Sequence, residues 1–576
     1  MIVSTAFDFK NLKKLVDWKL LLFLVLFLNV KLAVKIPAIA LIYLLQFNFK
    51  FGFSFKNSRL PLFYLLAIAI AVLNWVISIN YFNLNYNIVL LTGVGFWALC
   101  ILAMHQVKLF VEQDDTETIH RTIVIFFILN ALLSFCNLAA IIWETGSINP
   151  YTYQGQYQKY FIGTGDYIRG ITFDTSTTNA VLNALGVLYF LTKKNMTMLF
   201  VCMVVMLFTG SNFTNIMLLI CFAILFIFKS SRDQKSLIAA CMMFLVVFMV
   251  KISPQNYMYV HEGFKNTFHL KLLQSAQPPA GKPDLPLTLM PDKWLTADEI
   301  KQKIAQRHID SVYVISHPPK SVLDVKAQQS AMVTTPTPKS VVNEKKSLPE
   351  KPLTVLEGGR IIIPQPNINL KPYQHIADTN AYQKRLLAFV NTHKSNLPLS
   401  AQNNYQSALP GKAISSIQTI SFLGHHPSKI LTGNGIGNFS SKLAFRVSGL
   451  GFAGGYPQKL VYISPYFLSN HLDVFLNFFS KKTDYHSLTN NPDSVYDQLL
   501  GEYGLLGLIA FLVWYLGYFL KHYKALTYGL PILLMVVALF FIEYWFEQLS
   551  ILVFFELLLL LNIKENANKV IPEYVR

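Results

Sequence analysis

With 576 residues, 53% of them hydrophobic and only 14% charged, and a mean hydropathy of +0.40, the chain falls outside the usual range of a soluble protein. A net charge of +18 would suggest nucleic acid in a soluble chain. Here much of the excess sits in short connections between apolar runs, which excludes nucleic acid and points to anionic lipid headgroups or a phosphate-bearing lipid substrate. The five cysteines, Cys100, Cys136, Cys202, Cys221 and Cys241, all lie in those runs, which excludes a disulfide framework and a cysteine-based metal site.

Met1 to Trp18 is mixed and basic, and an apolar run follows directly, so no cleavable signal peptide is expected. Runs of bilayer-crossing length, roughly 20 residues, recur near 16–31, 34–48, 60–80, 87–105, 121–143, 171–192, 195–209, 212–229, 235–252, 495–520, 526–546 and 549–563. They lack the period-2 alternation of a barrel, and lipid admits only helices or closed barrels. The expected fold is therefore an all-α polytopic membrane protein with about twelve transmembrane helices. Basic residues mark alternate connections: Lys10, Lys13 and Lys14, then Lys50, Lys56 and Arg59, then Lys108 and Arg121, Lys193 and Lys194, Lys229, Arg232 and Lys235, Lys521 and Lys524. This pattern predicts both termini in the cytoplasm, with Lys31 and Lys35 against it.

The resulting plan has a membrane domain over 1–252 with about nine spans. A large extracytoplasmic loop covers 253–493, a second membrane domain of about three spans covers 494–563, and a cytoplasmic tail covers 564–576. About sixteen of the 26 prolines lie between Pro278 and Pro410, so 275–370 is expected to be partly disordered. Helical periodicity returns in Ala381–Val390 and Ala413–Leu423.

Six groups carry candidate chemistry. Arg169 and Asp174 sit where an outer loop enters the span near 171–192. A guanidinium there suits a diphosphate or simply anchors at the interface. Thr209–Thr214 reads as a tight turn. Gly433, Gly435 and Gly437 permit positive φ and close backbone approach; their N–H groups suit a phosphate or sugar, or the stretch is a turn without chemistry. His425, His426, His471 and His486 lack metal-ligand spacing and read individually as surface residues, with His486 a possible general base. Finally, Asn490–Leu508 runs from a polar loop into a span. Asp493 and Ser494 suit an N-cap and Asp497 a capping box, and the glycines at 501, 504 and 507 suit helix packing. Neither role explains Glu502. Glu543, Glu547 and Glu556, near the last two spans, are exposed at a turn or are the paired acids of a proton-coupled transporter.

In their order, these stretches resemble the O-antigen ligase and polymerase superfamily of bacterial envelope glycosyltransferases. The matches are Arg169-Gly170-Ile171-Thr172-Phe173-Asp174; Gly210-Ser211-Asn212; Gly411-Lys412, with Lys where the family has Arg; Leu431 to Phe439; and Asp493 to Leu508. They cover roughly 120–250 and 410–560. The resemblance implies a GT-C-like fold and a metal-independent, cofactor-free transfer of a glycan from a polyprenyl-diphosphate-linked oligosaccharide to an acceptor glycan or glycolipid, at the bacterial plasma membrane. It assigns Arg169, Lys412 and Arg446 to the diphosphate, Asp493 or His486 to the acceptor's proton, and Tyr496 and Glu502 to positioning. Asp493 stands where ligases carry His, which favours a polymerase-like role. A ligase, a transporter or exporter of envelope glycans, and a structural anchor whose Pro-rich loop recruits partners are the other readings.

Overall fold

The computed structural model describes residues 16–26, 60–78, 82–153, 164–173, 175–228, 230–253, 410–451, 455–478, 490–524 and 526–570, together with isolated positions between them. Asp174, His486 and nearly all of 254–409 lie outside the described residues.

The described chain is predominantly helical. In order, the helices are α1 (Trp18–Leu26), α2 (Phe63–Ile77), α3 (Leu84–Gln113), α4 (Thr116–Thr145), α5 (Ser176–Lys193), α6 (Met196–Phe208), α7 (Asn212–Phe228) and α8 (Arg232–Ile252). They continue with α9 (Gly411–His425), α10 (Lys442–Val447), α11 (His471–Phe478), α12 (Val495–Leu520), α13 (Gly529–Leu539) and α14 (Leu549–Val570). Among them α3, α4, α8 and α12 are long and apolar enough to cross a membrane, and α2, α6, α7 and α13 are shorter apolar helices. This makes the chain a helical membrane protein. Contacts divide the chain into two units, one of Met1–Leu272, Leu409–Phe479 and His486–Arg576, the other of Leu273–Ala408 and Ser480–Tyr485. In the second, Val355–Leu356 and Arg360–Ile361 pair as a small antiparallel hairpin.

Local chemistry explains the helix ends. The Asn83 side chain accepts from the Tyr86 amide at 3.1 Å at the start of α3. Thr175 caps α5 through the Thr178 amide at 3.2 Å. Ser231 and Gln234 form a reciprocal capping box on α8. Gly146 stops α4 in the left-handed region at φ 65°. The turn at Thr209–Ser211 between α6 and α7 is formed as expected, with Gly210 at φ 65°.

Helix α5 is buried on all sides from Ser176 to Leu191, and its buried Asn179 and Asn183 are satisfied by hydrogen bonds. A second dense region gathers Phe63, Tyr64, Trp97, Phe511, Tyr515 and Phe546, with ring centroids 5.2–6.2 Å apart, in the tilted and edge-on arrangements rings prefer. At its edge Tyr515 donates to Glu556 Oε1 at 2.9 Å, and Tyr64 donates to the same oxygen at 2.5 Å. Glu556 is thus buried in the bundle rather than exposed at a turn.

The segment 410–478, counted as loop from the sequence, belongs with the helical unit. Helix α9 is fastened by the Gly411 amide to Asn490 Oδ1 at 3.1 Å. A Cβ on Gly411 would strike the Asn490 carbonyl, so only glycine fits this approach.

At the far end of α3, Lys564 Nζ donates to the carbonyls of Val111 and Asp114, both at 2.6 Å. Asp114 shares a hydrogen bond with Asp17, and burial together with that neighbour pushes its carboxyl up to about 7.

Candidate functional site

The Arg169 loop is set by an asparagine cluster. Asn137 Oδ1 accepts from the amides of Arg169 and Gly170 at 3.1 and 2.9 Å. Asn130 Oδ1 accepts from Ile171 N at 3.0 Å, and Asn130 Nδ2 donates to Asn179 Oδ1 at 2.9 Å. Asn179 in turn donates to Ser134 Oγ and to the Ile168 carbonyl. Two consequences follow. Asn179, near the top of α5, holds the Ile168 carbonyl and the side chains of Asn130 and Ser134. Arg169 is left exposed, with its backbone fixed, and Phe173 is forced to φ 49°, a rare conformation for a bulky residue.

The glycine turn meets a protein group. Gly433, Gly435 and Gly437 have φ of 70°, 92° and 71°, as their spacing predicts. Their amides do not face an open site: Gly433 N donates to Lys429 O, Asn434 N to Gly501 O and Gly435 N to Glu502 O, at 2.8, 2.8 and 3.0 Å. The amides of Gly437, Phe439 and Ser440 and the Ser441 hydroxyl face the Glu502 carboxylate, with Phe439 N at 3.3 Å from Oε1. The group in this backbone cradle is therefore the carboxyl of Glu502 itself. The three glycines, expected to bind substrate, and Glu502, expected to position the acceptor, are here turned toward one another, and Glu502 has no exposed surface.

Helix α12 is reshaped to receive the turn. It runs as a π-helix over Leu499–Tyr503 and breaks at Gly504, φ 66°. The amides of Leu505 and Leu506, freed by the break, donate to the carbonyls of Ile430 and Leu431 at 2.8 and 3.0 Å. A Cβ on Gly504 or Gly433 would strike the opposite backbone.

The third arrangement holds the charges. Lys412 Nζ donates to the carbonyl of Asp493 at 2.5 Å and to that of Ile542 at 3.3 Å, while the Val495 amide donates to Phe540 O at 2.9 Å. These bonds draw 493–495 and 540–543 side by side, and the Asp493 and Glu543 carboxyls share a hydrogen bond. Asn491 Nδ2 donates to Asp493 Oδ2 at 3.0 Å. Lys442 adds a second cation near both acids. Burial pushes the Lys412 ammonium down to about 8 against the pull of Asp493, Glu543 and Asp497, and burial pushes the Asp493 carboxyl up against the pull of Lys412.

One turn into α12, Asp497 accepts hydroxyls from Ser415 at 3.1 Å, Ser416 at 3.4 Å and Thr419 at 3.0 Å. The N-cap is Ser494, which accepts from Asp497 N at 3.4 Å; Asp493 does not cap. Thr419 Oγ1 also lies 3.2 Å from His471 Nε2. His471 is fully buried rather than on the surface, and burial pushes its imidazole down to about 3, so it is a neutral hydrogen-bonding partner. Next to this region Glu547 accepts from Leu443 N at 2.8 Å and from Gln498 Nε2. It lines a cavity of about 10 Å³ with Gln498, Trp97 and Tyr503, room for about one water.

The structure therefore joins Lys412 and Asp493 and surrounds Glu502 with the glycine turn. Tyr496 donates to Val537 O at 2.7 Å and ties α12 to α13. Arg446 is half-buried and lies near Tyr456. No described hydrogen bond or ion pair links Arg169 or Arg446 to the Lys412 cluster. Sequence reasoning missed Ser415, Thr419, Lys442, Asn130 and Asn137, though Asn179 stood out as a polar residue near the top of a span that needs a partner. Their one visible signal is a high density of small polar residues on otherwise apolar helices. No family model, curated protein or solved structure matches the chain.

Proposed function

We propose that the chain is a bacterial plasma-membrane glycosyltransferase that moves a glycan from a polyprenyl-diphosphate carrier to an acceptor sugar, in the manner of a surface-polysaccharide polymerase. The observation that carries this reading is the meeting of Lys412 with Asp493 at the mouth of α12. A cation and a carboxylate, both mostly buried, stand where a loop segment closes over a membrane helix. In the reaction, the acceptor hydroxyl oxygen bonds to the anomeric carbon. The bond from that carbon to the diphosphate breaks, with its electron pair leaving on the diphosphate, and the hydroxyl proton passes to Asp493. Arg169, exposed on a braced loop, is free to meet a lipid diphosphate at the membrane surface, and the fixed cations of Lys412 and Lys442 favour negative charge nearby.

The test is the pool of lipid-linked intermediates in a strain lacking the protein. Accumulation of single lipid-linked repeats supports a polymerase. Accumulation of full-length lipid-linked polymer supports the ligase alternative, and an unchanged pool refutes glycan transfer. Arg169→Ala should abolish polymer while leaving membrane insertion intact. A second reading, a transporter of envelope glycans, draws on the buried Glu556 between Tyr64 and Tyr515, since ionisable groups at membrane depth default to function. Normal transport by Glu556→Gln would remove it.

A further inference from the structure

The sequence presents Asp493 and Glu543 as separate acids, fifty residues apart, one at the start of a helix and one near a turn. Three backbone-directed bonds remove that separation. Lys412 Nζ binds the carbonyl of Asp493 and that of Ile542, the residue before Glu543. Val495 N binds Phe540 O. One ammonium thus clamps the two chain segments that carry the acids, and it does so through carbonyls rather than by pairing tightly with either carboxylate. The two side chains then lie within hydrogen-bond reach of each other. Two carboxylates at that range cannot both remain charged at low cost, so one proton stays between them.

The charged and titratable neighbours among the described residues bear on this. Lys412 from α9 and Lys442 from α10 favour ionisation of the pair, and Asp497 from α12 acts on Lys412, favouring its charged form. Tyr544 is occupied by Ser440 Oγ at 2.8 Å, and Asn491 donates to Asp493 Oδ2. Asp493 Oδ1 is left without a fixed donor. The pair also retains a way out: Asp493 and Glu543 keep 8% and 9% of their surface, whereas Glu502 and Glu556 keep none.

We infer that Asp493 and Glu543 form a single-proton carboxyl dyad clamped by Lys412, and that the dyad, rather than Asp493 alone, is the proton acceptor of this site. Glu543 is then a positioning residue that sets the basicity of Asp493. At rest the pair holds one proton and one negative charge. The proton released by a reacting hydroxyl fills the ionised oxygen and leaves through the exposed edge to water. The assignment of a hydroxyl as proton donor rests on the glycan-transfer reading; the shared proton does not.

The experiment separates the two. The full-length chain in lipid nanodiscs is titrated by infrared difference spectroscopy, as wild type, Asp493→Asn, Glu543→Gln and the double variant. The expected result is that each single variant loses one proton's worth of protonated-carboxyl absorption and that the double variant loses no more than either single one. Loss of twice that amplitude in the double variant, or no loss in either single variant, overturns the dyad. In membranes supplied with lipid-linked glycan, the acid limb of the pH–rate profile, which reports protonation of the singly ionised pair, should move up by about one unit in Glu543→Ala, because the hydrogen bond from protonated Glu543 holds Asp493 ionised, and return in Glu543→Asp. An unmoved limb overturns the positioning role. Infrared behaviour as expected, with no glycan transfer by the wild type, refutes the reaction and leaves the dyad standing.

Discussion

Replacing Glu502 tests whether the glycine turn serves chemistry or architecture. The carboxylate is faced by the amides of Gly437, Phe439 and Ser440 and by the Ser441 hydroxyl, and none of its surface is exposed. Truncation to alanine strips these donors of their acceptor. An unsatisfied buried donor costs about 1–3 kcal/mol. Counting only the Phe439 amide and one neighbour gives about 2–6 kcal/mol, a large fraction of the roughly 5–15 kcal/mol that stabilises a typical fold. Glutamine keeps the volume and one acceptor oxygen but turns an NH₂ toward the remaining donors, so Glu502→Gln should lose about half as much. Tryptophan fluorescence suits the assay, because Trp97 Nε1 donates to the hydroxyl of Tyr503, the next residue, at 2.7 Å. The denaturation midpoint of nanodisc-embedded protein should fall in the order wild type, Glu502→Gln, Glu502→Ala. A Glu502→Gln protein with an unchanged midpoint but no turnover would refute the architectural account and return Glu502 to the chemistry.

Gly433→Ala should be at least as damaging: the left-handed φ costs about 1–2 kcal/mol, and the added Cβ strikes the Glu502 backbone. Loss of protease resistance at 430–439 is the readout. Asn179→Ala removes the acceptor for Asn130 and the donor to Ile168 O; it should cost about 2–4 kcal/mol and raise amide exchange over 164–173. For Asp114 the sign is set by a raised carboxyl. Its folded value of about 7 exceeds the unfolded one, so the folded state binds more protons between about 4 and 7, and that contribution to stability is lost as pH rises through 7. Asp114→Asn should therefore flatten the pH–stability curve in that window and stabilise the protein above it. A steeper curve in the variant would contradict the pairing with Asp17.

The parts of this structure that were legible in the sequence are the local ones. Apolar runs located the long apolar helices α3, α4, α8 and α12, and three glycines within five residues announced positive φ. The gap in the capping and packing account of α12 marked Glu502 as needing another explanation. What occupies each feature was not legible, because its partner is remote. Glu502 meets the turn 63 residues upstream, Asp497 meets Thr419 across 78, and Lys412 meets the Ile542 carbonyl across 130. A cradle of amides looks the same in sequence whether it awaits a phosphate or a carboxylate of its own chain. For the same reason Asp497, well placed for a capping box, was in fact drawn to three hydroxyls of α9, a local propensity overridden by tertiary contacts.

The break in α12 at Gly504 bears on how the protein is made. A helix interrupted within an apolar span exposes amides and carbonyls that lipid does not satisfy, and here their partners, at Ile430, Leu431, Asn434 and Gly435, come from a segment made earlier in synthesis. The span is therefore incomplete at birth unless that segment is already waiting beside it. Order of emergence from the ribosome becomes part of the folding code. A circular permutant or split chain that delivers 411–451 after 495–520 would ask a membrane helix to stand open in lipid until its missing backbone arrives.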